Sequence, residues 1–428
     1  MIEEKLFKMK LASCGLAAIP GELKNNALLE IAKSLDSNRK LIIEANEKDL
    51  HNGKDLSQPI LKRLLFDSEK IDGVIDGIYG LVKLEDPVHK KLSSLLLDDG
   101  LILNKISVPI GVIGVIFESR PDALVQIASL CVKSGNCVVL KGGSEAMNTN
   151  KVLADIIIQT LTAFDSRFTD TVLLIESREA VSEILKFNKY INLIIPRGSN
   201  EFVQYIQKKS SIPVLGHADG ICHQYIDQFA DIDTAIKVVV DSKTQYVAVC
   251  NATETLLVHA NIAEKALKPV VAALREKKVE IRGCERTQKI ISDVIPATET
   301  DWKTEYLDYI ISIKIVDSIE EAVTHINTYG SGHTDGIITE NAESKRYFET
   351  FVDTSSVVVN CSTRFADGFR YGMGAEVGVS TNKFHARGPV GLEGLIIYKY
   401  ILEGNAHIVA DYSGSNAKKF KHTKLDVK

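Results

Sequence analysis

From Val108 onward the chain switches between unbroken apolar runs and stretches of helical periodicity, and few folds accommodate that pattern. Apolar strands are predicted at Ile110–Phe117, Cys137–Leu140, Thr171–Ile175 and Ile191–Ile195, with helices at 121–133, 145–164, 179–187 and 200–209. A strand lacking polar alternation is buried on both faces, so the pattern predicts a parallel sheet with helices on either side. A second set follows. Strands at Glu254–Val258, Ile310–Val316, Gly336–Thr339 and Ser356–Asn360 alternate with helices at 232–246, 263–277, from Ser318, and at 342–351. Ser318 with Glu321 three residues on reads as a capping box. Two α/β units result, meeting near Ile226–Asp231.

The segments outside this alternation differ in kind. Residues up to about 85 are helical, with Leu28, Leu29, Ile31, Ala32 and Leu35 on one face and Ile71, Val74, Ile75 and Ile78 on another. Leu95–Leu97 and Leu101–Leu103 flank Asp98-Asp99-Gly100, a hairpin signal, because Asp-Gly tolerates the backbone of a tight turn. Two strands projecting from a helical region suggest an arm. After the strand-like Leu395–Tyr400, the polar, Lys-rich tail is expected to fray. The glycine-rich stretch Thr363–Gly394 suits site loops.

Totals exclude several classes. A length of 428 residues exceeds one ordinary core. A net charge of −5 leaves no basic footprint for nucleic acid. The seven cysteines are irregularly spaced with no C-x-x-C, which argues against a disulfide framework or zinc knuckle and for a cytoplasmic setting. Met1–Lys10 mixes Lys and Glu, unlike a signal peptide. The apolar run Ile106–Phe117 is broken by Ser107 and Pro109 and falls short of the roughly 18 residues a membrane span needs. His217 and His333 have no metal-ligand neighbour at suitable spacing, so no metal is expected.

Cys250 lies in the short connection between a helix and a strand, where a side chain can face a cleft. It is either a nucleophile or a buried apolar cysteine. The fingerprint G-x-G-x-x-G is absent. Two stretches offer another phosphate cradle. Lys141-Gly-Gly follows a strand and can present a point charge to ribose or phosphate. Pro196-Arg-Gly198-Ser199-Asn200 opens a helix whose N–H groups attract anions. Arg120 stands at the carboxyl end of a strand, able to bind a carboxylate or phosphate or to pair with Glu118 or Asp122. His217 and His333 occupy polar loops and can donate to an anion. The Cys222-His223 dipeptide belongs to an alternating run, Ile221, His223, Tyr225, that marks a strand rather than a protease-like pair.

Taken in order, Gly111–Asp122, Ser134–Asn136, Lys141–Gly143, Ile195–Asn200, Asp219–His223, Cys250–Leu257, Glu320–Asp335, Ser362–Gly368, Gly374–Val377 and His385–Gly391 resemble the gamma-glutamyl phosphate reductase family. That family belongs to the aldehyde dehydrogenase superfamily. The resemblance implies an α/β, aldehyde dehydrogenase-like architecture: two doubly wound α/β domains plus a small β oligomerisation arm. A cofactor-binding domain is expected over 1–89 and 108–228, a catalytic domain over 229–394, and an arm with C-terminal tail over 90–107 and 395–428. It implies NADPH-dependent reduction of L-glutamyl 5-phosphate to L-glutamate 5-semialdehyde with release of phosphate, in proline biosynthesis. A homo-oligomer is expected, with the upstream glutamate kinase as a candidate partner and neither nucleic acid nor membrane involved.

By the same resemblance Cys250 is the nucleophile, Lys141, Gly198 and Ser199 hold cofactor positions, and Glu305 holds the nicotinamide ribose. Arg120, His333, Arg364 and Arg387 are candidates for the substrate's phosphate or α-carboxylate. Acid-forming relatives carry a glutamate base where Gly216 stands here, so hydrolysis of a thioester should be slow. Arg120 replaces the superfamily's oxyanion asparagine, leaving the Cys250 N–H and a second donor to support the oxyanion. The alternatives are an acid-forming or CoA-acylating relative, or a non-catalytic nucleotide-binding protein.

Overall fold

The computed structural model describes residues 2–177, 179–217 and 219–427. Five helices come first: Ile2–Ala17, Gly21–Ser37, Arg39–Asn52, Gln58–Leu64 and Ser68–Lys83. Their apolar faces, Leu28, Ile31 and Leu35 with Ile71, Val74 and Ile78, join one core with the first parallel sheet.

That sheet has four strands in the order Val172–Leu174, Cys137–Lys141, Val112–Phe117, Leu193–Arg197. All its pairings are parallel, with Lys141 opposite Ile116 and Arg197 opposite Phe117. The chain leaves the Val112–Phe117 strand on one side and returns on the other. The carboxyl ends of these strands are therefore a topological switch point, where open α/β sheets bind ligands. The strand expected from Ile110 starts at Val112, because the amides of Gly111 and Val112 bond instead to the side chains of Asn136 and Asn192.

The second parallel sheet has seven strands: Ile295–Pro296, Glu280–Gly283, Ile310–Val316, Thr253–His259, Cys222–Ile226, Thr334–Ile338 and Ser356–Val359, in that spatial order. Separate apolar clusters cover it, one on the Ile232–Thr244 and Ala260–Glu276 helices and one around Tyr225, Ile326 and Phe348. The strand Cys222–Ile226 pairs with Thr253–His259 and Thr334–Ile338. Cys222–Ile226, ahead of the boundary expected after residue 228, is thus a strand of the seven-stranded sheet: periodicity identifies a strand but not the sheet that recruits it. The strands at 280–283 and 295–296 were not expected, being too short for periodicity to register. The capping box is present in altered form. Ser318 Oγ accepts from Glu321 N, while the Glu321 carboxylate accepts from Asp317 N, one residue before the cap.

The hairpin Lys91–Asp98/Leu101–Pro109 forms an antiparallel sheet with Ile396–Glu403 and Thr423–Leu425. The tail expected to fray therefore pairs at its end, Thr423–Leu425 against Leu96–Ser94. Strand pairing and the stacking of Phe420 on Tyr412 and His422 hold it, neither of which shows in a Lys-rich composition. Among the described residues no helix is long and apolar enough to cross a membrane.

Candidate active site

The helix Ile232–Thr244 and the strand Thr253–His259 are joined by a loop that carries Cys250. Both ends of the loop are clamped. Lys243, at the helix end, meets Glu254, at the strand start, 2.6 Å apart with both side chains fully buried. Burial pushes the Glu254 carboxyl up to about 7 and the Lys243 ammonium down, so short contact is what keeps this pair in place. Asn251 Nδ2 donates to Ala366 O at 3.0 Å, and Thr253 Oγ1 bonds Thr363 Oγ1 at 3.2 Å. Gly220 lies directly on the loop: a Cβ there would stand 2.1 Å from Cys250 O, so only glycine admits this approach.

Within this frame Cys250 is partly exposed. The buried apolar role falls to Cys131 and Cys137, whose thiols burial pushes well up. Cys222 is also buried and its thiol pushed up, and its Sγ donates to Cys250 O at 3.2 Å. His223 begins its own pair, Nδ1 to Asp335 Oδ1 at 2.8 Å, inside the sheet.

Several separated segments converge on Cys250. One ring nitrogen each from His217 and His333 lies with Cys250 Sγ in a group whose members are all within 4.8 Å of one another. The two histidines have no metal-ligand neighbour at suitable spacing along the chain, but in space they neighbour each other and Cys250. Spacing along the chain is blind to three loops that meet in space. Arg364 is buried, donates Nε to Gln245 Oε1 at 2.9 Å, and interacts electrostatically with Cys250. Arg197 does too. Its Nη1 is buried without a partner, and Nη2 stands 3.6 Å from Glu376 Oε1. Burial lowers the pKa of both arginines, yet a guanidinium remains charged at any working pH. Sequence reasoning weighed the Arg197 loop only for its backbone. The signal it passed over was an arginine at the carboxyl end of a switch-point strand, the rule already applied to Arg120.

The other two substrate candidates sit differently. Arg120 is 46% exposed and pairs with Asp122 at 3.0 Å, the ion pair that was its plainer reading. Arg387 pairs with Asp353 at 3.0 Å and stands beside Gly332, the residue before His333.

At the carboxyl edge of the four-stranded sheet a cavity of about 520 Å³ opens. Lys141, Glu118, Ser119 and Glu145 form its polar side, and Phe202 and Tyr205 contribute apolar wall. Lys141 is buried and its Nζ donates to Gly142 O. Ser119 N and Oγ both donate to Glu145 Oε1 at 2.6 Å, and Ser199 N donates to Glu118 Oε2 at 2.9 Å. Gly198 touches the same carboxylate, where a Cβ would come within 2.6 Å. Glu305 accepts from Asn200 Nδ2 at 2.9 Å, and burial raises its pKa. Asn200 also donates to Asp219, linking Glu305 to the segment that leads through Gly220 to the Cys250 loop.

Two parallel sheets and a cysteine on the loop ahead of the central strand of the second are the marks of an aldehyde dehydrogenase, and the model of the aldehyde dehydrogenase family matches residues 8–290. A gamma-glutamyl phosphate reductase of Acetivibrio thermocellus is 61% identical over 427 residues, covering 99% of this chain and 98% of that one. The crystal structure of gamma-glutamyl phosphate reductase from Thermotoga maritima superposes with a TM-score of 0.92 at 41% identity, over 95% of this chain and 99% of that one. The chain belongs to the gamma-glutamyl phosphate reductase family. The fold extends further: a glyceraldehyde-3-phosphate dehydrogenase from Methanocaldococcus jannaschii, complexed with NADP, superposes with a TM-score of 0.66 at 17% identity, over 94% of each chain.

Proposed function

We propose that this chain reduces L-glutamyl 5-phosphate to L-glutamate 5-semialdehyde with release of phosphate, the reductive step of proline biosynthesis, through a thioester on Cys250 and with NADPH as reductant. The observation that carries the chemistry is a partly exposed thiol held on a clamped loop, with the half-buried Arg197 and the buried Arg364 close enough to interact with it electrostatically.

The cavity at Lys141 suits a nucleotide in size, within the roughly 300–1,000 Å³ of small-molecule sites, and in its mixture of one cation, polar loops and aromatic wall. Lys141, Gly198 and Ser199 would hold the cofactor there, with Glu305 toward the nicotinamide end. When bound, NADPH supplies the hydride.

The Cys250 thiolate attacks the acyl carbon of the substrate and displaces phosphate, so a C–S bond forms as the C–O bond to phosphate breaks. Arg197 and Arg364 stabilise the anionic leaving group and the substrate carboxylate. After reduction of the thioester carbon, collapse of the hemithioacetal breaks the C–S bond, frees the aldehyde and returns the thiolate. Gly216 packs against Pro196 and offers no carboxylate to activate water, which favours phosphate over water as the partner of the thioester. The antiparallel sheet presents Ile397, Tyr398, Tyr400 and Leu402 outward, which suits a homo-oligomer built through this arm.

The test is oxidation of glutamate 5-semialdehyde by NADP⁺. Turnover should require phosphate or arsenate. Equal rates with phosphate omitted would mean an acid-forming enzyme and would overturn this reading.

A further inference from the structure

We propose that His217, Cys250 and His333 form a binding site for a soft divalent cation such as Zn²⁺, and that the bound ion caps the nucleophile and silences it reversibly.

The placement follows from topology. Thr253–His259, Cys222–Ile226 and Thr334–Ile338 are adjacent parallel strands. Cys250, His217 and His333 each lie just ahead of one of them. Three neighbouring strand starts therefore deliver three ligands to one point, their donor atoms all within 4.8 Å of one another. Tetrahedral zinc with one S and two N ligands needs donor separations of about 3.5 Å.

Each ring is anchored through one nitrogen. His217 Nδ1 stands 2.9 Å from Val379 O, and since a carbonyl only accepts, Nδ1 carries the proton and the neutral ring's lone pair is on Nε2. His333 Nδ1 bonds Thr334 Oγ1 at 2.9 Å. Its Nε2 is buried and has no hydrogen-bond partner among the described residues, on a side chain with no solvent exposure. A ligating histidine normally anchors its second nitrogen to a carbonyl or hydroxyl in this manner. A buried imidazole nitrogen left without a partner costs stability unless something occupies it. The rings themselves pack edge to face, 4.7 Å between centroids.

Binding replaces the thiol proton: the S–H bond breaks, an S–metal bond forms, and the proton leaves to solvent. Arg197 and Arg364 oppose the added charge, while Glu305 and Glu376, which act on His217, offset it. Borderline-soft ions that favour thiolate and imidazole are selected over Mg²⁺ or Ca²⁺. Three protein ligands leave a fourth position open, so the ion can be removed by a chelator. While it is bound, the sulfur cannot attack an acyl carbon.

The test uses the full chain, stripped with chelator and titrated with Co²⁺. A thiolate-to-cobalt charge-transfer band in the near ultraviolet, with visible bands of tetrahedral intensity, is expected, and Zn²⁺ should displace it. C250S should lose the charge-transfer band. H217N and H333N should each weaken Co²⁺ binding by at least about tenfold. Circular dichroism on each variant keeps misfolding from passing for ligand loss. Absence of the charge-transfer band in the wild-type chain overturns the site, as does Co²⁺ affinity unchanged in both histidine variants. Turnover that persists at Zn²⁺ concentrations displacing all Co²⁺ overturns the capping. The spectrum needs no substrate, so a failure of the proposed reaction in metal-free protein is a separate result.

Discussion

The two parallel sheets bring opposite edges to the candidate site. The four-stranded sheet offers its carboxyl ends, where Lys141 and Arg197 lie, while the seven-stranded sheet offers its amino ends, where Cys250 and His333 precede their strands. Their interiors differ as well. The Val112–Phe117 strand is wholly apolar and buried. The Thr253–His259 strand is also wholly buried but carries Thr253, Glu254, Thr255 and His259. The first sheet is a generic platform whose chemistry hangs from one edge. The second carries paired polar groups through its core, and those pairs fix the loop that holds the sulfur.

The sharpest way to separate the two halves is to disable one. Cys250→Ala should lower turnover by at least about 10⁴-fold, as loss of a nucleophile does elsewhere, while NADPH binding measured by fluorescence stays near that of the wild type. Loss of both together would mean that the edges do not act independently.

Next in size is the clamp. Glu254→Ala leaves the Lys243 ammonium buried and unpaired, and unpairing a buried ion costs about 3–5 kcal/mol. Urea unfolding should report that loss. The control is Ile113→Val in the apolar sheet, expected to cost about 0.5–1.5 kcal/mol. Equal losses would erase the distinction between the two interiors.

A smaller effect probes the other edge. Lys141→Ala removes the cation of the cavity and should raise the KM for NADPH by roughly 10–100-fold, the range of a charge-assisted hydrogen bond of about 1.5–3 kcal/mol. The kcat at saturating cofactor should change little, because Cys250 and its clamps are untouched.

The contrast between edges also explains what the sequence disclosed. Unbroken apolar runs announced both sheets, and the strand–Lys141–Gly and strand–Arg197–Gly turns are local signals, so the carboxyl edge of the first sheet was legible as a candidate ligand site. At the other edge the local signals were misleading or silent. His217, Cys250 and His333 are far apart in the chain and share no spacing rule, and only strand order unites them. Lys243 and Glu254 are unremarkable as residue types, and their pairing depends on the turn between them closing. Gly220 gives no sign in sequence that its neighbour is the Cys250 backbone. Local periodicity reports burial. It does not report which strand lies beside which, and the surroundings of Cys250 are set by that order.

The mildest expected effect again belongs to the polar sheet. All the buried histidines among the described residues, His223, His259, His325 and His333, lie on or beside it. His325 packs edge to face on Trp302 and His223 and against Tyr329, and its Nδ1 accepts from Lys314 Nζ at 3.3 Å. Burial, then the nearby His223 and Lys314, pushes its pKa down to about 2. The unfolded chain binds that proton near pH 6.5. Between those values the unfolded state holds more protons than the native one, so stability falls as pH drops below about 6.5. The slope from this one group is at most about 1.4 kcal/mol per pH unit. His325→Asn keeps an acceptor for Lys314 but cannot titrate. Urea unfolding at pH 7.5, 6.5 and 5.5 should show wild-type stability declining toward acid more steeply than that of the variant. Parallel declines would mean that the acid sensitivity arises elsewhere, and that the polar interior of this sheet fixes the loop without making the fold sensitive to acid.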